Sequence, residues 1–288
     1  MSRIAYVNGR YRPHADAGVH VEDRGYQFAD GVYEVVTVYG GRLVDVEAHF
    51  ERLDRSLREL HIDAPMRRGA LRHVMAEMVR RNRITDGLLY IQVTRGVAPR
   101  SHPFPGPQVR PALVMTARPL RFRSAVAFED GVRVISIPDI RWARRDIKSI
   151  SLLPNVLGKQ AAVEAGAYEA WMVDADGFVT EGTSSNAWIV TADNRIVTHQ
   201  TGNEILTGLT RQAILALARE NGLEYEERPF TIAEAKAARE AFLSSATSFV
   251  TPVTQVDDAV VANGKAGSLT QALHNHYLNY MKSMPRIS

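Results

Sequence analysis

The chain contains no cysteine. That excludes a disulfide framework, a thiolate nucleophile and any Cys-ligated zinc or iron–sulfur site. It also has no apolar run near the roughly 18 residues that a transmembrane helix needs. Met1 to Arg12 lacks an apolar stretch with a small-residue cleavage site, so the sequence predicts a cytoplasmic protein with no membrane association. Long basic tracts are missing as well. The pI is near 9.2, but the densest basic spots, Arg67–Arg68, Arg80–Arg81 and Arg144–Arg145, are doublets without interleaved aromatics. No nucleic-acid partner is expected from such a pattern.

Lysine is scarce. Of 35 basic residues only five are lysine: Lys148, Lys159, Lys236, Lys265 and Lys282. A guanidinium keeps its proton under all ordinary conditions, whereas an amine can lose it and attack a carbonyl. The five lysines are therefore the short list for any such chemistry.

The length of 288 residues suits two modest domains. Asn8-Gly9 and Gly40-Gly41 mark hairpins, the second joining strands at Val32–Tyr39 and Arg42–Val46. Helical spacing runs from Glu47 to about His61 and again over Met66–Asn82. Strand-like segments at Gly87–Thr94 and Pro111–Thr116 flank a loop with four prolines, which cannot be regular structure. Weak periodicity after Arg118 places an interdomain linker at residues 121–131, between domains at 1–120 and 132–288. The second half mixes strands (Val132–Ile137, Tyr168–Val173, Asn186–Thr191, Arg195–His199, Glu240–Ser245, Phe249–Val256) with helices (Asn155–Gly166, Gly208–Asn221, Ile232–Arg239, Ser268–Met281). The expected class is α+β in two domains.

Three features could carry chemistry. Lys148 follows Arg144-Arg145, whose like charge would favour a neutral, nucleophilic amine. Glu181 enters Gly182-Thr183-Ser184-Ser185, where consecutive hydroxyls suit a loop that presents donors to an anion. The carboxylate itself could pair with a protonated pyridine nitrogen. Thr207-Gly208-Leu209-Thr210 opens a helix, and a helix N-terminus is a natural phosphate site. Lysine, carboxylate and phosphate cup together are the parts that pyridoxal 5′-phosphate (PLP) requires.

These parts lie in longer motifs: Glu22-Asp23-Arg24-Gly25-Tyr26-Gln27-Phe28, Asp30-Gly31-Val32-Tyr33-Glu34, Asp139-Ile140-Arg141-Trp142, Asp146-Ile147-Lys148-Ser149 and Thr180-Glu181-Gly182-Thr183-Ser184-Ser185-Asn186. Nearly end to end, the chain resembles the fold-type IV PLP enzymes, and within them the bacterial D-amino acid aminotransferases. The resemblance implies that Lys148 forms the internal aldimine and moves the substrate proton, and that Glu181 faces the pyridine nitrogen. It implies that Arg52, Leu209 and Thr210 bind the cofactor phosphate and that Leu206 lies against the ring. In Ser244-Ser245-Ala246, Ser245 and Ala246 match further cofactor contacts, but relatives usually carry threonine where Ala246 stands. Its backbone N–H remains, so the resemblance implies somewhat weaker cofactor retention, by about the 1.5–3 kcal/mol of one hydrogen bond to a charged group.

Arg100 and His102 match the Arg-x-His pair of the D-specific enzymes and, with Tyr33, resemble a trap for the substrate α-carboxylate. In the family this pair reaches in from the other subunit of a homodimer. The implied reaction is transamination between a D-amino acid (D-alanine or D-glutamate) and a 2-oxo acid (2-oxoglutarate or pyruvate) through pyridoxamine phosphate. Branched-chain L-amino acid or (R)-amine transamination on the same fold, then aminodeoxychorismate lyase chemistry, are the alternatives.

Overall fold

In the computed structural model, which describes residues 3–122 and 125–287, Asn8 and Gly9 take φ of 45° and 90°. Both values are those of a type I′ turn, and the turn joins β1 (Ile4–Val7) to β2 (Arg10–Pro13). There follow α1 (Arg24–Phe28), β3 (Gly31–Tyr39), β4 (Arg42–Leu43), α2 (Val46–Glu59), α3 (Arg68–Asn82), β5 (Gly87–Thr94) and β6 (Ala112–Pro119). The strand expected at Arg42–Val46 stops early. Asp45 turns into the left-handed region (φ 55°) and Val46 already begins α2.

Among the described residues these strands form one sheet in the order β2-β1-β6-β5-β3-β4. Strand periodicity sends Val32, Glu34, Val36 and Val38 to one buried face, while Tyr33 and Val35 on the other face are half-buried. Phe50, Leu53 and Leu57 of α2 and Leu71, Val74, Met75 and Met78 of α3 share the unit's core with Val32, Val36 and Val38. Burying each such side chain contributes about 1.5–3 kcal/mol.

The remaining elements are α4 (Ala125–Glu129), β7 (Val132–Pro138), α5 (Leu153–Glu164), β8 (Glu169–Val173), β9 (Val179–Gly182), β10 (Asn186–Val190), β11 (Ile196–Thr198) and α6 (Leu209–Glu220). The chain ends with β12 (Tyr225–Glu227), α7 (Ile232–Lys236), β13 (Glu240–Ser245), β14 (Phe249–Val256), β15 (Ala259–Val260) and α8 (Ser268–Ser283). Their strands form a second sheet, β12-β11-β10-β13-β14-β7-β8-β9, with β15 on β14. Its core includes Val134, Trp171, Ile189, Phe230, Leu243 and Val253. Among the described residues no helix is long and apolar enough to cross a membrane.

The chain divides into two units: Met1–Arg121 with Ile147–Ser151 and Met281–Ser288, and Phe122–Asp146 with Leu152–Tyr280. Of the linker expected at 121–131, residues 123 and 124 lie outside the described residues, and the short helix α4 occupies part of the rest. The segment Ile147–Ser151, expected in the C-terminal domain, groups with the N-terminal sheet. The cause is main-chain pairing: Tyr33 N–H donates to the Lys148 carbonyl and Ile150 N–H to the Gly31 carbonyl, each at 3.0 Å.

Candidate active site

In the first unit, Lys148 is placed by its backbone. β4 pairs with β3 only at Val38 and Tyr39, so the start of β3 has an open edge. Residues 148–150 fill it, with Ser149 bridging Val32. Gly31 allows this close approach, since a Cβ there would stand 3.1 Å from Ile150 Cδ1 and 2.6 Å from the Val93 carbonyl oxygen. Lys148 N–H donates to Ser56 Oγ at 3.3 Å, and Ile147 is buried in the core. Lys148 Nζ lies 4.1 Å from the centre of the Tyr33 ring, and among the described residues it has no carboxylate partner. Tyr33 in turn packs on Tyr90 (5.7 Å between rings). The Tyr90 hydroxyl donates to Gln92 Oε1 at 2.6 Å, and burial pushes its phenol up to about 12.

The like-charge role expected of Arg144 and Arg145 does not survive. Arg144 is paired with Asp146 at 3.0 Å and Arg145 with Asp139 at 3.4 Å, so carboxylates offset both charges.

Arg52, half a helix along α2, donates to Glu34 from Nε (2.8 Å) and Nη2 (2.7 Å). Glu34 is buried and also meets His49 Nδ1 at 2.7 Å. Burial alone would raise its pKa, but Arg52 and His49 outweigh burial and hold the carboxyl well below the usual carboxylate range. A lowered native pKa means that this stabilisation is complete above the unfolded value, about 4.3, and is lost as pH falls below it. Glu34→Gln is expected to cost about 3 kcal/mol at pH 7 by removing the buried negative charge that accepts from Arg52 Nε and Nη2. The variant should also show a shallower fall in Tm between pH 5 and pH 3 than the parent, as followed by circular dichroism; parallel curves would refute the assignment.

Arg100 and His102 stand exposed on the proline-rich loop after β5. Both lie against Phe28, the Arg100 guanidinium 4.7 Å and the His102 ring 5.5 Å from its centre. Thus Tyr33 and Lys148 are brought together, and so are Arg100 and His102.

In the second unit the centre is Glu181, buried on β9. It accepts from Arg141 Nη1, from Asn186 Nδ2 (3.0 Å) and from Leu206 N–H (3.1 and 3.2 Å to its two oxygens). Arg141 is itself held by Asp139 at 2.7 Å and by Thr180 Oγ1 at 3.3 Å. Burial raises the Glu181 pKa, and Arg141 opposes that rise. Asn186 also donates to the Leu206 carbonyl at 3.0 Å. A Cβ on Gly208 would come within 2.1 Å of Asn186 Oδ1, so only glycine permits this packing. The result joins Glu181, Leu206 and the start of α6, where Leu209 and Thr210 lie. Gly208 caps α6 without a side-chain bond to its first turn. Thr210 Oγ1 is 3.3 Å from the Tyr277 hydroxyl.

One reading of hydroxyl groups is corrected. Thr183, Ser184 and Ser185 do not wait for an external anion. Their hydroxyls bond the buried carboxylate of Glu169, Ser184 at 2.8 Å and Ser185 at 3.3 Å. The Ser245 hydroxyl is bonded within its own turn, 2.7 Å from Ser248 Oγ and accepting from Ser248 N–H at 3.1 Å. That turn, Ala246 included, is nevertheless near the others. Ser244 pairs with Asn186 across β13 and β10.

Sequence reasoning gave no role to Arg141, Asp139 or Asn186, although all three lie in the quoted motifs. Nothing in a linear motif says which acceptor an arginine will reach.

These residues fit PLP. A carboxylate accepts at about four positions, and the three donors on Glu181 leave room for a ring N–H. The first turn of α6 keeps backbone N–H groups for a phosphate. Among the described residues the Lys148 amine has no carboxylate partner.

Comparison with known proteins agrees. The family model for amino-transferase class IV matches residues 31–256. A D-alanine aminotransferase of Bacillus licheniformis is 43% identical over 276 residues, covering 94% of this chain and 96% of the relative. One from Staphylococcus haemolyticus is 40% identical over 278 residues, covering 96% and 98%. A solved Escherichia coli branched-chain amino acid aminotransferase shares the fold with a TM-score of 0.89 at 23% identity, covering 97% of this chain and 94% of its own. With the matched model spanning β3 through β14, the chain belongs to the class IV aminotransferase family, whose cofactor is PLP.

Proposed function

We propose that the chain transfers the amine of a D-amino acid, D-alanine in particular, to a 2-oxo acid such as 2-oxoglutarate or pyruvate, as a cytoplasmic homodimer. The observation that carries the substrate half is the joint placement of Arg100 and His102 on Phe28, in a chain 43% identical to a D-alanine aminotransferase.

PLP, when bound, supplies the carbonyl that takes up the amine and a cationic ring that draws electrons from the substrate Cα. Lys148 would hold it through Nζ, and the same amine is the base and acid at Cα. Glu181, already oriented by three donors, would keep the ring nitrogen protonated. Arg52, the first turn of α6 at Leu209 and Thr210, and the Ser245–Ala246 turn would receive the phosphate, with Leu206 giving an apolar contact. Glu34 takes two of the five N–H donors of Arg52 and so orients its fork. Arg100, His102 and the Tyr33 phenol would take the α-carboxylate. One lysine acts on one face only, so fixing the carboxylate selects a single enantiomer.

Arg100→Ala is expected to lower kcat/KM for D-alanine about 100-fold, the equivalent of a charge-assisted contact near 3 kcal/mol. Unchanged turnover would remove the clamp from the reading. Exposure of both loop residues supports their reaching a second subunit. Mixing Arg100→Ala chains with Lys148→Ala chains should then restore activity, since a mixed dimer holds one complete site. The parent's visible absorbance should be lost on adding D-alanine and kept with L-leucine; the reverse pattern would favour branched-chain substrates.

A further inference from the structure

We propose that Arg24, together with Phe28, is a positioning residue that fixes Arg100 and His102 in the pose that takes the substrate carboxylate; this rests on the carboxylate role given to that pair above.

Arg24 opens α1 behind the loop and is 4% exposed. A buried guanidinium is costly unless its donors are matched. Its Nε donates to Asp30 Oδ2 at 2.8 Å, Nη1 to the Ser101 carbonyl at 2.5 Å and Nη2 to the His102 carbonyl at 3.3 Å. One fork thus spans a carboxylate and two consecutive carbonyls of the loop. Asp30 also accepts from Arg95, at 2.7 Å on the same Oδ2 and at 2.9 Å on Oδ1.

Arg100 lies between two anchors. On its N-terminal side Ala98 N–H donates to the Glu22 carbonyl at 3.3 Å, and Arg24 N–H donates to the Gly96 carbonyl at 2.9 Å. On its C-terminal side stands the Arg24 fork. Only Pro99 and Arg100 separate these ties, and the φ of proline is locked. The side chain is placed as well. Helical spacing sets Arg24 and Phe28 four residues apart on one face. The Phe28 ring has the Arg24 guanidinium at 4.8 Å and that of Arg100 at 4.7 Å, within the range where a ring attracts a cation.

The test uses the holoenzyme with D-alanine and compares Arg24→Lys, Phe28→Leu, Arg100→Ala and the two double variants with Arg100→Ala. Lysine keeps the charge for Asp30 but cannot span two carbonyls. Each of Arg24→Lys and Phe28→Leu is expected to raise KM about tenfold with kcat within about twofold, as loss of uniform binding does. Added to Arg100→Ala, each should cost less than about a further twofold, because residues acting through one group are not additive. An equal cost with and without Arg100, or an unchanged KM, overturns the proposal. If Arg24→Lys does not fold, Phe28→Leu alone decides. If Arg100→Ala itself leaves KM unchanged, the carboxylate reading fails and this proposal with it, a result distinct from Arg100 mattering while Arg24 and Phe28 do not.

Discussion

Lys148→Arg is expected to abolish the visible cofactor absorbance and to lower D-alanine turnover by at least about 1,000-fold, in line with losing the group that moves the proton. The reason is the chemistry of the head group. A guanidinium does not deprotonate and cannot bond to the cofactor carbonyl, although it keeps the charge that sits over Tyr33. The other lysines offer no substitute. Lys159, Lys236 and Lys265 are paired with Glu169, with Asp257 and Asp258, and with Asp130 respectively. Lys282 is exposed on the last turn of α8. A Lys148→Arg protein with the parent's Tm but no absorbance isolates the chemical defect from folding. Retention of band and turnover within tenfold would dismiss Lys148 as the cofactor lysine.

Glu181→Gln should lower kcat about 10²–10³-fold, the usual effect of removing one preorganised charge from a buried site. KM for D-alanine should change little, since the role proposed for Glu181 is at the ring nitrogen and not at the substrate carboxylate. Glutamine preserves the volume and can still accept from Leu206 N–H and Asn186. What it removes is the negative charge opposite Arg141 and any ring N–H. Burial already pushes the Glu181 carboxyl toward its neutral form, and Arg141 opposes that push. Arg141 is therefore part of what keeps an anion available there. Single-turnover kinetics with D-alanine would separate this defect in chemistry from one in product release. A kcat within about threefold of the parent would mean that the ring nitrogen does not depend on this carboxylate.

The two hairpin turns, the amphipathic helices α2 and α3 and most strands were legible because their signals are local. A left-handed two-residue turn favours pairs such as Asn-Gly or Gly-Gly, and a helix that buries Phe50, Leu53 and Leu57 must space them at three and four. Arg24, Arg141 and Glu169 stood in or beside readable motifs, yet their partners were not legible. Arg24 reaches carbonyls 77 and 78 residues away, and Arg141 a carboxylate 40 residues away. The three hydroxyls after Gly182 looked like an anion loop because their composition is right, and the anion turned out to be the chain's own Glu169. By itself, then, the sequence determined the class of chemistry, through one lysine, one carboxylate and a glycine-led helix start in matching motifs. Tertiary structure decided which groups those residues face. Lys148 is carried to the edge of β3 by main-chain hydrogen bonds, which any residue type can make and no side-chain pattern announces.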